Sequence, residues 1–244
     1  MDTKKKIMEI TVYAMCYNES VMLPIFVAHY RERFPKCRIV IWDNNSTDGS
    51  QELARSLGCE VRPYESGGEL RDSRHSEIKD TSWKTSPTAW SCVVDMDELC
   101  DITEAQLLEE DRARTSHIKF QGYDMISQSE DPDHTEATPL TWGKRNTHYD
   151  KTTFINRERI KEINWVPGCH NCFPTGTLRL QKGRYRMYHN KYIGLNWLLE
   201  KHRYSRERLS EENIKQGWGV QYQMKEDEIR REWDYIKSQS VKLK

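Results

Sequence analysis

The chain has 244 residues, and its 38 Lys and Arg balance its 38 Asp and Glu, so the formal net charge is zero. Such a chain has no global basic field to attract nucleic acid or an anionic membrane, and we expect no nucleic-acid partner. No apolar run approaches the roughly 18 residues of a membrane-spanning helix, so no transmembrane segment is expected.

The first 110 residues alternate between strand and helix patterns. Apolar runs predict strands at 7–16, 37–42, 59–64 and 90–97, and helical spacing predicts helices at 20–34, 50–57 and 69–83. Thr103 is placed to cap a further helix. This alternation indicates a parallel, doubly wound α/β sheet, in which ligands bind beyond the carboxyl ends of the strands. Three polar loops therefore share one rim of the sheet: 16–19, 43–48 and 95–98.

The remaining chain is less regular. It predicts strands at 117–127, 149–156 and 184–194, a polar loop at 127–139 and a loop broken by Gly and Pro at 164–176. Helical patterns at 195–216 and 225–238 follow. The basic N-terminus is interrupted by Glu9 and does not resemble a secretory signal, and seven irregularly spaced cysteines favour reduced thiols. We therefore expect a single cytoplasmic domain.

The fourth predicted strand runs directly into acidic residues. In WSCVVDMDE, the carboxylates of Asp95, Asp97 and Glu98 follow a buried apolar run. Carboxylates this close repel one another and are costly to desolvate without a partner, so they lie in water or have positive charge between them. Asp95 and Asp97 could share a divalent cation, since Mg²⁺ and Mn²⁺ prefer oxygen ligands. The plain alternative is an acidic helix start, which suits the helix dipole.

Four segments, YNES, LPIFVAHYRERF, IVIWDNNSTDGS and WSCVVDMDE, resemble the nucleotide-sugar glycosyltransferases of the GT-A fold, particularly family-2-like members. DMDE resembles their DxD metal motif. YDKTTFIN, VPGCHNCFPTG and YHNKYIGL resemble the second half of small bacterial and viral members, so the resemblance spans about residues 8–220. It implies a GT-A-type, Rossmann-like α/β fold with a mixed, mainly parallel sheet flanked by helices and a C-terminal helical extension. The single domain, 1–244, would comprise a nucleotide-binding half (1–100), an acceptor- and sugar-side half (101–194) and a helical tail (195–244).

The same resemblance implies an activity. It is the metal-dependent, inverting transfer of a sugar from a nucleoside-diphosphate sugar to the hydroxyl of a glycan or another acceptor. Mn²⁺ or Mg²⁺ would be held by Asp95, Asp97 and the late histidine His189. The residues implied to bind the nucleotide are Ala14, Cys16, Tyr17, Asn18, Glu19, Asp43, Arg74, Lys79 and Met96.

Inversion requires a base to deprotonate the acceptor. Asp150 is the first candidate, followed by Asp124 and His170. Asp150 could equally form an ion pair with Lys151 or Arg145.

Structural roles stay open for several of these residues. Asp43 fits an Asx turn, and Asp48 is expected to act only in the turn and helix cap. Arg74 and Lys79 fit a solvated helical face, because the ARN form common in the family is replaced here by DSRHSEIK. His189 could be a hydrogen-bonded histidine at a strand end.

Other functions use the same residues. A Zn²⁺ site could form from one set of four side chains: Cys169, His170, Cys172 and His189. A non-catalytic nucleotide-sugar or glycan-binding module would have no reason to keep two repelling carboxylates. A nucleotidyltransferase usually has a Gly-rich first loop with a cation, and MCYNES has neither. A DxDxT phosphatase requires threonine at position 99, where Leu99 stands.

Overall fold

A computed structural model of the protein describes residues 8–133 and 139–243. Five strands and four helices form the first half of the described chain. These are β1 (Ile10–Cys16), α1 (Met22–Arg33), β2 (Arg38–Asp43), α2 (Ser50–Ser56), β3 (Glu60–Pro63), α3 (Asp72–Ser82), β4 (Trp90–Asp95), and, after the short β5 (Glu98–Asp101), α4 (Glu104–Arg112).

Eight strands and three helices follow in the remaining described residues. They are β6 (His117–Lys119), β7 (Gln121–Ile126), β8 (Trp142–Arg145), β9 (Thr152–Asn156), β10 (Ile160–Glu162), β11 (Thr175–Gly176), β12 (Arg186–Tyr192), α5 (Leu195–Glu207), α6 (Glu211–Gln216), α7 (Glu226–Gln239) and β13 (Val241–Lys242).

The central sheet has the order β3-β2-β1-β4-β9-β6. Its first four strands are parallel, whereas β9 runs antiparallel to both β4 and β6. The predicted mixed, mainly parallel α/β sheet flanked by helices is therefore confirmed, as is the C-terminal helical extension. Every residue of β1 is buried, which explains why its sequence is a nearly continuous apolar run.

Local signals locate two helix ends correctly. Thr103 caps α4 in a capping box with Gln106, as its sequence position predicts. Gly58 has a φ of +71°, a left-handed conformation that glycine adopts without strain, just after α2 ends.

A second sheet, β13-β8-β7-β12-β5, was not predicted. The strand expected over 117–127 is divided at Phe120, so that β6 joins the first sheet and β7 the second. The helix expected over 195–216 is likewise two helices, α5 and α6. Residues 134–138 of the predicted polar loop lie outside the described residues.

The strand order reverses between β1 and β4. In open α/β sheets, such a switch point leaves a crevice beyond the carboxyl ends of the two strands. β1 ends at Cys16 and β4 ends at Asp95, with Met15 directly opposite Asp95 in the register. The predicted rim therefore lies at the switch point.

Candidate active site

A cleft opens at this switch point. Its walls come from the loop after β1, the turn after β4, α3, the loop 168–170, β12 and one face of α5. The acidic turn lies at the floor, because β4 carries it to the carboxyl edge of the sheet and β5 turns back antiparallel to β12.

Lysines meet the acidic turn. Lys79 Nζ lies 2.6 Å from Asp95 Oδ1, and Lys151 Nζ lies 3.5 Å from Asp95 Oδ2. Lys151 also donates to Glu98 Oε1 at 2.5 Å, and both of those side chains are almost completely buried. Of the two alternatives that the sequence left open, water or positive charge between the carboxylates, the structure shows positive charge, supplied by two ammonium groups.

A third lysine meets the other aspartate of the motif. Lys201, on α5, lies 3.0 Å from Asp97 Oδ2 and 2.9 Å from Glu19 Oε1. The helix predicted to be a tail therefore forms a wall of the cleft. One face of α5 and the residue that follows it supply Lys201, Tyr204, Ser205 and Arg208 to the lining.

The ion pairs shift the ionisation of the acids. Burial opposes ionisation of Asp95, but Lys79 and Lys151 hold the pKa of its carboxyl far below the usual range. Burial likewise opposes ionisation of Asp97, and Lys201 reverses this effect, so that its pKa is lowered. At Glu19, by contrast, burial outweighs the attraction of Lys201 and raises the pKa to about 7.

His189 on β12 faces Asp97 from the opposite side. Its Nδ1 donates to Asp124 Oδ1 at 2.7 Å, and its Nε2 lies 3.7 Å from Asp97 Oδ2. The ring of Tyr149 stacks on His189 with the centroids 3.8 Å apart. A carboxylate behind an imidazole is the arrangement that orients a histidine as a metal ligand.

The donor set fits a divalent cation in part. Two donors 3.7 Å apart, Asp97 Oδ2 and His189 Nε2, can both reach a cation at roughly 2.1 Å. Asp95 fits less well as a direct ligand, because both of its oxygens face lysines, and Asp97 Oδ2 must itself exchange its contact with Lys201 to bind a cation. Within residues 8–133 and 139–243, no group of three or more His, Cys, Asp or Glu side chains is arranged to hold a metal ion. A cation here would therefore depend on oxygens from a ligand.

The same finding bears on the zinc alternative. Cys169, His170, Cys172 and His189 form no such cluster within the described chain. His170 instead faces the carbonyl of His148, and His189 faces two carboxylates.

Arg208 forms the far end of the cleft. Its guanidinium carbon lies 3.2 Å from the ring centroid of Tyr17, and it donates hydrogen bonds to Asn44 Oδ1 and to the carbonyl of Gly68. Tyr17 also packs edge-on against Tyr204. This end of the cleft combines an aromatic face with a fixed cation.

The predicted nucleotide-binding residues divide into two groups. Five line the cleft, namely Cys16, Tyr17, Glu19, Lys79 and Met96. Four do not line it: Ala14, Asn18, Asp43 and Arg74. Ala14 is buried in β1, Asn18 bonds to Thr47, and Arg74 forms an exposed ion pair with Glu77.

Asp43 is completely buried and holds a loop together. Its two carboxylate oxygens accept hydrogen bonds from Ser46 and Gln51. A direct contact with a nucleotide would require these bonds to be exchanged, so the structure favours the Asx-turn alternative. Asp48 accepts from Ser20 and Ser50, which confirms the structural role expected of it.

The three candidates for the catalytic base differ in their partners and in their position relative to the cleft. Asp150 accepts from the backbone of Gly122 and from Arg145, and it lies outside the cleft lining. Asp124 already accepts a hydrogen bond from His189. His170 lines the cleft, where burial and then Lys151 lower its pKa to about 3, so the ring is neutral at physiological pH.

Glu19→Gln tests the buried acid. Between the ordinary pKa of 4.5 and the folded value of about 7, the folded chain keeps a proton that the unfolded chain has released. Stability contributed by Glu19 therefore falls as pH rises through this window. Because glutamine is neutral throughout, we expect the variant to match the wild type at about pH 5 and to have the higher Tm at about pH 8.

Thermal unfolding across this pH range measures the effect, with the exposed Glu52→Gln on α2 as the matched control. Equal Tm values for Glu19→Gln and the wild type at the alkaline end would show that Glu19 ionises without penalty.

No family model matches the chain, and no curated protein sequence matches it. Solved structures with some similarity include mannosyltransferase PcManGT from Pyrobaculum calidifontis in complex with GDP-Man and Mn²⁺, at 16% identity and a TM-score of 0.38 over 63% of this chain and 46% of that one. S. aureus TarS in complex with UDP-GlcNAc has 14% identity and a TM-score of 0.44 over 80% and 65% of the two chains. An active-site mutant of LgtC has 14% identity and a TM-score of 0.33 over 62% and 58%. The chain therefore covers less than two thirds of each of these structures. Similarity this distant does not indicate the activity of the chain.

Within the described residues, no helix is long and apolar enough to cross a membrane.

Proposed function

We propose that the protein is a GT-A-type glycosyltransferase that transfers a sugar from a nucleoside-diphosphate sugar to an acceptor hydroxyl, with Mn²⁺ or Mg²⁺ as cofactor. The observation that carries this proposal is the meeting of Asp97, His189 and Lys201 at the switch point of the sheet. A fixed cation and an aromatic face at one end of the same cleft suit a nucleotide.

In this proposal, Tyr17 and Arg208 contact the nucleoside part of the donor. A nucleobase has flat faces that stack on aromatic rings and on guanidinium planes. Asn44, which accepts from Arg208 and donates to the carbonyl of Tyr64, supplies polar groups at the same end. The Arg74 contact expected from the family is replaced in this proposal by Arg208, since Arg74 faces solvent.

The diphosphate end belongs to Asp97 and His189. These two side chains would hold the cation, which would stabilise the negative charge that develops on the departing diphosphate. Asp124 fixes the ring of His189 in the orientation that leaves Nε2 toward Asp97. Asp95 takes a different part: together with Glu98 it anchors Lys79 and Lys151 under the cleft.

The acceptor end belongs to the loop that carries His170. Nδ1 of His170 donates to the carbonyl of His148 at 2.9 Å, so Nε2 is left as an acceptor for a proton. We propose His170 as the base of an inverting transfer, ahead of Asp150, whose ion pair with Arg145 lies outside the cleft lining. The arrival of an anionic diphosphate would raise the basicity of the ring.

His170→Ala is expected to lower kcat for transfer by about a hundredfold or more, the usual contribution of a general base. Donor binding should change little, because the acceptor proton is removed on the other side of the sugar. Steady-state kinetics across pH, with His117→Ala on β6 as the control, measures this. Unchanged kcat in His170→Ala would return the role of base to a carboxylate.

The proposed activity is tested by incubating the protein with a panel of nucleoside-diphosphate sugars, with Mn²⁺, with Mg²⁺ or with EDTA. Release of the nucleoside diphosphate, by slow hydrolysis or by transfer to a glycan acceptor, is the expected result. Absence of both release and binding across the panel would overturn the proposal. We also propose that the acceptor group is a hydroxyl of a glycan. We further propose that the protein is cytoplasmic.

A further inference from the structure

Lys201 is the cation nearest to the two proposed metal donors. Its ammonium lies between Glu19 Oε1 and Asp97 Oδ2, at 2.9 Å and 3.0 Å, and its side chain is only 14% exposed. The ammonium also lies over the ring of Trp197, 4.5 Å from the centroid. These three contacts therefore hold Lys201 in place rather than leaving it free in solvent.

Lys201 and His189 approach the same oxygen. Oδ2 of Asp97 is 3.0 Å from Lys201 Nζ and 3.7 Å from His189 Nε2. The other oxygen of the neighbouring carboxylate, Glu19 Oε2, is buried, and residues 8–133 and 139–243 give it no hydrogen-bond partner. Two carboxylates therefore meet at a position where one ammonium, that of Lys201, supplies the positive charge.

We propose that Lys201 is a built-in competitor of the divalent cation: it holds Asp97 in the ligand-free protein and moves from Asp97 to the diphosphate when cation and nucleotide bind together. The part that involves the diphosphate rests on the proposed function. The part that involves the cation alone rests on the geometry of Lys201.

The charges of the cluster explain why the two ligands should bind together. Four carboxylates, Asp95, Asp97, Glu98 and Glu19, face three lysines, Lys79, Lys151 and Lys201. As counted, the cluster carries one excess negative charge, which a lone divalent cation would reverse and a lone diphosphate would deepen. A cation and a diphosphate that arrive together leave the cluster close to its starting charge. The binding of each should therefore strengthen the binding of the other by the same factor.

The chain offers a matched control for Lys201. Lys191 on β12 is 16% exposed, forms an ion pair with Glu232 and lies over the ring of Tyr192, 4.7 Å from the centroid. It has nearly the same burial and the same types of partner but does not line the cleft.

The experiment is calorimetric titration of metal-free protein with Mn²⁺ alone, with UDP or GDP alone, and with Mn²⁺ in the presence of each nucleotide. The proteins compared are the wild type, Lys201→Met, Lys201→Arg and Lys191→Met. We expect Lys201→Met to bind Mn²⁺ alone about tenfold tighter than the wild type and to lose most of the coupling to the nucleotide. Lys201→Arg and Lys191→Met should keep the weak Mn²⁺ binding of the wild type. If Lys201→Met does not fold, Lys201→Gln takes its place in the comparison.

Equal or weaker Mn²⁺ binding in Lys201→Met would overturn the competition between lysine and metal. The same would follow if Lys191→Met gained affinity as much as Lys201→Met. Failure of all four proteins to bind UDP and GDP would overturn the proposed function instead, and the titrations with Mn²⁺ alone would still decide the role of Lys201.

Discussion

Asp97→Asn is expected to lower sugar transfer by about a thousandfold while the protein still folds, the scale of loss seen when one group that stabilises transition-state charge is removed. Asparagine keeps the shape of the side chain but has no charge to offer a cation. Because Asp97 Oδ2 is the atom that both Lys201 and His189 approach, no neighbouring carboxylate can replace it without moving.

The effect on stability follows from the ion pair rather than from repulsion. From sequence alone, loss of one carboxylate from an acidic cluster is expected to relieve repulsion and leave the fold as stable or slightly more stable. In the structure Asp97 is 8% exposed and bonded to Lys201, so the substitution removes a charge-assisted hydrogen bond instead. We therefore expect a loss of about 1.5–3 kcal/mol in the free energy of unfolding.

Denaturant unfolding and initial rates with saturating donor and Mn²⁺ measure the two effects. Asp80→Asn is the control, since Asp80 lies outside the cleft lining and accepts a hydrogen bond from Trp165. Transfer by Asp97→Asn at a rate near that of the wild type would remove Asp97 from the cation site.

The first half of the fold can be predicted from sequence because its signals are local. Strands β1 and β4 are buried almost throughout, so each is a nearly continuous apolar run, and α1 between them in the sequence has apolar residues at helical spacing. The position of the acidic turn at the switch point follows from that order of elements. The second sheet could not be predicted in this way, because β5 has only four residues and pairs with β12, far along the chain.

Two lysines of the cleft, Lys151 and Lys201, were missed as site residues for a related reason. Lys201 is 104 residues from Asp97, and Lys151 is 53 from Glu98, and spacing within the sequence carries no information about such pairs. One local signal was present on α5. Lys201, Ser205 and Arg208 recur at helical spacing on one face with Tyr204, a polar stripe on a helix that packs against the domain. A second local signal was present at Lys151, because a charged residue there directly precedes the buried strand β9.

Lys151→Met is expected to destabilise the fold more than any other single change in the cleft, by about 3–5 kcal/mol. Lys151 is 4% exposed at its side chain and is the ammonium partner of Glu98, which is 2% exposed. Methionine fills a similar volume but leaves the Glu98 carboxylate buried without its partner, and Asp95 keeps only Lys79. A lone buried carboxylate must either be desolvated as an ion or take up a proton, and both routes cost stability.

The double variant Lys151→Met/Glu98→Gln separates the lost ion pair from the lost volume. If the unpaired carboxylate is the cause, this double variant should regain most of the stability that Lys151→Met loses, because no buried charge is left without a partner. Denaturant unfolding of the wild type, both single variants and the double variant completes the cycle, with the exposed Lys161→Met on β10 as the control. If the free energy of unfolding lost by the double variant equals the sum of the losses in the two single variants, Lys151 and Glu98 act independently. In that case, the ion pair that anchors the acidic turn would contribute nothing to the fold. The lysines would then serve only the ligand that enters the cleft.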